Sequence, residues 1–204
     1  MNEFDAKAEG WDGDPMKVER ARRVADAILE QAGPLSGKRA MDYGCGTGLL
    51  GFALQPHLAH MTLADASPGM LAVLGKKIAA SGLANLAPLA LDLTGGPDPG
   101  TRFDLIVTLM TLHHIPDTDG ILQRFHGILN PGGLLGISDL DQEDGSFHGL
   151  EADVHRGFDR SDLCGRLERA GFGRIRFSTP YVINRETGAG MTPFPLFLVL
   201  AERT

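Results

Sequence analysis

The chain has 204 residues, 43% hydrophobic and 22% charged, an ordinary balance for one α/β domain built on a single core. Its net charge of -7 argues against a general binder of nucleic-acid backbones, and two cysteines, Cys45 and Cys164, make neither a disulfide framework nor a zinc spacing. The opening "MNEFDAKAEGWDGDP" is acidic and lacks the apolar stretch of a signal peptide, and "PFPLFLVLA" is too short to span a bilayer as a helix, so a cytoplasmic protein without a membrane span is expected.

Asp14-Pro15 opens a helix, a capping acid followed by proline at the first helical position. Val18, Ala21, Ala25, Ile28, Leu29 and Ala32 follow at helical spacing until Gly33-Pro34. Arg20, Arg22 and Arg23 read as the solvated face of that helix. "RAMDY" reads as the first strand, followed by a glycine loop and a helix over "LLGFALQPHL". "MTLAD" is the second strand. Ser67-Pro68 caps a helix with Leu71, Leu74 and Ile78 on one stripe, ended by Ser81-Gly82. "LAPLALDL" is the third strand. "FDLIVTLM" is the fourth, apolar throughout, as a strand covered on both faces should be. Ile121, Leu122, Phe125, Ile128 and Leu129 mark a helix ended by "NPGG", and "LLGISDL" is the fifth strand. A helix over 160–170 turns Leu163 and Leu167 inward. "RIRFSTPYVINR" and "FPLFLVLAER" close the chain as an antiparallel pair around a Gly-rich turn. Such alternation predicts a parallel, doubly wound sheet with right-handed crossovers. Residues 141–157 show no clear periodicity and follow the C-terminal end of a strand, where such sheets place ligands.

The glycines of "MDYGCGTGLLG" let backbone come close to a ligand at a helix N-terminus, which favours an anionic group. Two ligands compete. Gly46, Gly48 and Gly51 satisfy G-x-G-x-x-G, with Asp65 placed as a ribose-binding acid, so a dinucleotide is one reading. Asp42, however, stands two residues before Gly44. An acid there repels a pyrophosphate and attracts a cation, and S-adenosylmethionine carries both an ammonium and a sulfonium.

With "MDYGCGTG", "LADASPGML", "LALDL", "FDLIVTLMTLHHIPD" and "LNPGGLLGISDL" in order, the chain resembles the class I S-adenosylmethionine-dependent methyltransferases. The subgroup it is most similar to comprises small-molecule enzymes related to ubiquinone and menaquinone biosynthesis. The resemblance implies a Rossmann-like doubly wound α/β sheet of seven strands, order 3-2-1-4-5-7-6, with strand seven antiparallel. It implies a single domain, 1–204, in which 1–33 form an N-terminal lid segment and helix and 141–158 cover the substrate. It also implies methyl transfer to a small-molecule acceptor by in-line displacement, with S-adenosyl-L-homocysteine as product.

By that resemblance Asp65 accepts bonds from both ribose hydroxyls, Ala66 and Met70 flank the adenine, and Asp92, ending the third strand, accepts its amine; the residues alone equally allow Met70 in the core and Asp92 as a loop acid before Gly95-Gly96. Leu93 supplies a backbone donor or an apolar wall there. Gly44, Cys45 and Gly46 approach the methionine part. Asp42 binds its ammonium, and Thr108 offers a carbonyl to the same group. His113 is expected at the cofactor and His114 in packing. Adjacent histidines on an extended chain point to opposite sides, so no metal site is expected. His148, His155 and Asp139 are the candidates for catalysis, though a base is needed only when the acceptor arrives protonated. Cys45 is not expected to be a nucleophile. Phe4 and Trp11 are expected to fold over the cofactor or to anchor the core. Tyr43 is expected beneath the loop or in contact with the cofactor. After the fourth strand the chain reads "TLMTLHH" rather than the Asn/Asp-Pro-Pro-aromatic motif used on amino groups of DNA and protein. That difference, with the acidic charge, favours a small acceptor and no nucleic acid.

Overall fold

The apolar run "FDLIVTL" becomes the middle strand of a seven-stranded sheet. The computed structural model describes residues 3–149, 154–188 and 190–204. The strands are β1 (Arg39–Tyr43), β2 (His60–Asp65), β3 (Leu86–Ala90), β4 (Phe103–Leu109), β5 (Leu129–Leu140), β6 (Phe172–Thr187) and β7 (Gly190–Arg203). They lie in the order β3-β2-β1-β4-β5-β7-β6. The pairs among the first five strands are parallel, and β7 runs antiparallel to both β5 and β6. This is the topology that the resemblance implies.

The helices are α1 (Glu3–Lys7), α2 (Pro15–Gln31), α3 (Leu49–Leu54), α4 (Pro68–Ser81), α5 (Thr118–Ile128) and α6 (Arg160–Arg169). Side-chain caps start four of them: Asp14 for α2, Ser67 for α4, Asp117 for α5 and Asp159 for α6. One face of the sheet is covered by α2, α3 and α4, where Val24, Ile28, Leu54 and Leu74 pack on Leu63, Leu105, Val107 and Leu198. On the other face, Ile121, Phe125, Leu163 and Leu167 of α5 and α6 pack on Met41, Ile106, Ile137 and Phe197. A third, smaller core joins Leu140, Phe147, Ile183, Phe194 and Leu196 beyond the end of β5. No helix among the described residues is long and apolar enough to cross a membrane.

Three local expectations change. Val18 is 42% exposed and Val24 is fully buried, so the apolar stripe of α2 begins later than its spacing suggests. Arg20 turns inward with its Nε buried and unpartnered, while Arg22 and Arg23 stay outside on Glu19. "NPGG" does not separate helix from strand: α5 ends at Ile128, and β5 starts at Leu129 through a register shift against β4. Within 141–158, Asp141 bridges to Phe158, and Phe147 packs edge-on to Phe194. Residues 150–153 of the expected substrate cover, and residues 1–2 of the expected lid, lie outside the described residues.

Candidate active site

The loop at 44–48 follows β1 and turns into α3 with Gly44, Gly46 and Gly48 all at positive φ. At Gly46 an added Cβ would meet only Met70 Sδ and Trp11 Nε1, both at 3.8 Å, so this backbone faces the opening between α4 and the N-terminal segment. Gly44 differs: a Cβ there would lie 2.3 Å from Thr111 Cγ2, so its bare α-carbon serves close packing as much as ligand approach. Gly51 lets α3 close on the sheet, since a Cβ would fall 2.1 Å from Leu63 Cδ2.

Two acids frame the loop. Asp65, at the tip of β2, accepts from the Gly46 N–H at 2.7 Å and from the Ser67 N–H at 2.8 Å, one on each oxygen. A carboxylate oxygen has two lone pairs, so both retain capacity for a hydroxyl. Asp42 is buried, and its Oδ2 accepts from the Gly51 N–H at 3.0 Å, in the first turn of α3. Burial pushes its carboxyl up to about 7; the Gly51 N–H opposes this and Asp65 adds to it. Its charge near neutral pH is therefore only partial, and it repels a diphosphate less than the sequence suggests. Cys45 is tied by its N–H to the Ala64 carbonyl. Burial first, then Asp42 and Asp65, hold its thiol well above the usual range, which leaves it inert.

Met70 is buried at the start of α4, and Ala66 is exposed beside Asp65. Asp92 departs from its expected place: β3 ends at Ala90, and Asp92 is exposed and accepts from the Thr94 N–H and hydroxyl. The Leu93 N–H is committed to the Tyr43 hydroxyl at 3.0 Å and is not open as a backbone donor, and the Leu93 side chain is buried. Thr108 is buried in β4 with an unpartnered hydroxyl.

The N-terminal segment closes over this region. Asp5 accepts from the Ser67 hydroxyl and the Gly69 N–H, at the start of α4. Asp12 bonds Thr47 and Lys77, and Glu9 pairs with Lys76. Phe4 lies edge-on to Trp11 and to His114, and Lys17 sits over the Trp11 ring. Asp5, Asp12, Thr47 and Lys77 went unread in the sequence, because contacts across more than thirty positions leave no local signal.

The histidines are the larger surprise. Residues 112–114 form a 3-10 turn, so the rings of His113 and His114 lie 4.1 Å apart, and the extended-chain argument for separating them does not apply. His148 joins them, 4.8 Å from His113 and 5.6 Å from His114 between ring centres. Its pKa is lowered by burial first and then by His113. His113 Nδ1 lies 2.6 Å from Asp139 Oδ1, and its N–H donates to Oδ2 at 3.1 Å, with both side chains buried. His113 Nε2 is buried without a partner. Asp139, fully buried, is thus a positioning residue for His113. His155 stands apart: its Nε2 donates to the Ile115 carbonyl at 3.0 Å, which leaves only Nδ1 to accept a proton.

A cleft of about 190 Å³ opens here, lined by His113, His114, Pro116, Val154 and His155. A larger one, about 520 Å³, is lined by residues such as Leu35, Pro56 and His57, at the opposite end of the strands from the glycine loop. Parallel sheets of this kind bind ligands at the C-terminal ends of their strands, so the smaller cleft is the relevant one.

A family model for a methyltransferase domain matches residues 16–175, more than half of the chain. The chain belongs to the methyltransferase domain family. Among curated relatives, the ubiquinone biosynthesis O-methyltransferase of Xylella fastidiosa is 30% identical over 149 residues, 70% of this chain and 59% of that one. An uncharacterized methyltransferase of Mycobacterium bovis is 35% identical over 115 residues, 55% of each chain. The chain thus spans less than two thirds of these relatives' lengths. A Haloferax volcanii methyltransferase, solved in complex with the Trm112 methyltransferase activator, superposes with a TM-score of 0.78 at 19% identity, covering 100% of this chain and 98% of that one. A Haemonchus contortus phosphoethanolamine N-methyltransferase, bound to phosphomonomethylethanolamine and S-adenosylhomocysteine, gives 0.70 at 17% identity, covering 88% of this chain and 52% of that one. These structural neighbours share the fold. The family's cofactor is S-adenosylmethionine.

Proposed function

We propose that this chain transfers the methyl group of S-adenosylmethionine to a small-molecule acceptor by in-line displacement at the methyl carbon. The observation that carries the reading is Asp65. It stands at the tip of β2, already fixed by the Gly46 and Ser67 N–H groups, with a lone pair left on each oxygen for a ribose hydroxyl. Gly46, open toward Met70 and Trp11, takes the methionine side, Met70 the adenine, and Asp42 the ammonium. The sulfonium supplies an activated methyl carbon.

The chain's own part is to align and to exclude. Holding an acceptor in line is worth roughly 7–11 kcal/mol of a displacement barrier. The segment carrying Phe4 and Trp11 covers the loop and keeps water from competing. His113, oriented by Asp139, offers its unpartnered Nε2 next to the cleft. A small acceptor is supported by the net charge of -7 and by "TLMTLHH" standing where macromolecule-modifying relatives carry their Pro-Pro motif. The acceptor-bound Haemonchus contortus neighbour and the quinone-pathway relative point the same way.

The test is methyl transfer from labelled cofactor into a metabolite extract, with nucleic acid and protein fractions assayed beside it. Label is expected in a low-molecular-weight product. Label confined to a macromolecular fraction overturns the small acceptor, and calorimetric binding of NAD with none of S-adenosylhomocysteine overturns the whole reading.

A further inference from the structure

We propose that His113, His114 and His148 form a site for one divalent transition-metal ion of the zinc type, with a coordination position left open to the adjoining cleft. One ring nitrogen from each of the three lies within 4.8 Å of the others. Tetrahedral coordination at about 2.0–2.1 Å to nitrogen sets ligand nitrogens roughly 3.4 Å apart, so modest rotations close the site. His113 is fixed by Asp139, and His148, which is exposed, is the ring that turns toward it.

His113 supplies the independent observation. It is 1% exposed, and its Nε2 has no partner among the described residues. Its Nδ1 is held at 2.6 Å by Asp139, whose other oxygen accepts the His113 N–H. A carboxylate on the distal nitrogen of a metal-binding histidine fixes the tautomer, aims the ring and raises its basicity. Asp139 fixes the tautomer and aims the ring here, for a nitrogen that meets no partner among the described residues. An oriented, buried and unsatisfied imidazole beside two more imidazoles is a built donor set.

The donors also select the ion. Among the described residues the donor set is three imidazoles, which suit zinc, nickel, cobalt or copper better than calcium or magnesium. Three protein ligands leave a fourth position for water or for an oxygen donor of a bound molecule. The cleft lined by His113 and His114 gives that position access. His155, in the same cleft, is outside the set, because its Nε2 is spent on the Ile115 carbonyl.

The site stands whether or not the chain transfers methyl groups, and the test reads metal alone. Untagged full-length chain, stripped with a chelator, is titrated with Co²⁺ and followed by visible absorption. We expect one Co²⁺ per chain, with the intense bands of four-coordinate cobalt, displaced by equimolar Zn²⁺. His114→Ala and His148→Ala should each weaken binding about tenfold or more, with unchanged circular dichroism. Asp139→Asn should cost roughly 10–100-fold, and His57→Ala, in the remote cleft, should change nothing. Absence of saturable one-to-one binding overturns the proposal. So does binding that survives unaltered in both His114→Ala and His148→Ala. Calorimetry with S-adenosylhomocysteine on the stripped chain reports separately on the methyl-transfer reading.

Discussion

Two strand-tip acids sit on either side of one glycine loop, and burial divides their work. Asp65 is half-exposed and holds its two backbone donors without using up either oxygen. Charge-assisted bonds of a carboxylate to hydroxyls contribute roughly 1.5–3 kcal/mol each. Asp65→Ala should therefore weaken S-adenosylhomocysteine by about tenfold or more in calorimetry, and unchanged affinity would remove the ribose assignment. Asp42 is buried at the start of α3 with its carboxyl raised to about 7 from an ordinary 3.8. The sign follows from proton binding. Between those two values the folded chain holds a proton that the unfolded chain has released. The contribution to stability is complete below about 4 and disappears as the pH rises through about 7, at about 1.4 kcal/mol per unit of separation. An asparagine keeps an acceptor for the Gly51 N–H and does not ionise. The stability of Asp42→Asn relative to wild type should accordingly improve from pH 5 to pH 8 in urea titrations. A difference that is flat across that range would show that Asp42 titrates like an exposed acid.

The N-terminal segment is tied to the rest of the fold through side chains at helix ends. Asp5 supplies acceptors to the start of α4, and Asp12 joins Thr47 of the loop to Lys77 of α4. The Lys77–Asp12 pair is part-exposed and by itself worth little. Thr47, though, is 1% exposed, and losing Asp12 strands its hydroxyl. Asp12→Ala should release this cover, raising the Kd of S-adenosylhomocysteine about three- to tenfold, mainly through faster dissociation in stopped-flow, and quickening proteolysis before Pro15. Equal dissociation rates would mean that the segment does not gate the site. What could be read from sequence, and what could not, divides at this same scale. Caps such as Asp14-Pro15 and Ser67-Pro68, and the unbroken apolar run of β4, are local and legible. Contacts set by tertiary placement are not. Val18 and Arg20 exchange environments because the first turns of α2 pass the site rather than lying on the sheet. His113 and Asp139 are 26 positions apart and meet only because β4 and β5 are neighbours. The two adjacent histidines share a side because a 3-10 turn, invisible to period-two reasoning, replaces extended chain. Of the two places open to Asp92, strand end or loop acid, the structure has the second, since β3 stops two residues earlier.

Across the whole molecule, the loop, the tip of β2, the start of α4 and the N-terminal segment converge on one ligand space. No single element holds it. Asp65 bonds Gly46 and Ser67, Asp5 bonds Ser67 and Gly69, and Asp12 bonds Thr47, so the site exists only when the strand tips, the start of α4 and the cover are assembled. A ligand with no affinity for the unfolded chain stabilises the folded one by RT ln(1 + [L]/Kd), about 2.7 kcal/mol at a hundredfold excess over Kd. A domain of this size shifts its melting temperature by roughly 2–4 °C per kcal/mol. S-adenosylhomocysteine at that excess should therefore raise Tm by about 5–10 °C, in one cooperative transition by both fluorescence and circular dichroism. NAD at the same concentration should move it less, because a diphosphate at the loop must displace the partial charge that Asp42 still carries near neutral pH. In Asp65→Ala the shift from a fixed concentration of S-adenosylhomocysteine should shrink by the fall in affinity, roughly 1.4 kcal/mol for each tenfold. A shift that NAD produces and S-adenosylhomocysteine does not would assign the pocket to the dinucleotide. A ligand shift of undiminished size in Asp65→Ala would place binding away from the tip of β2.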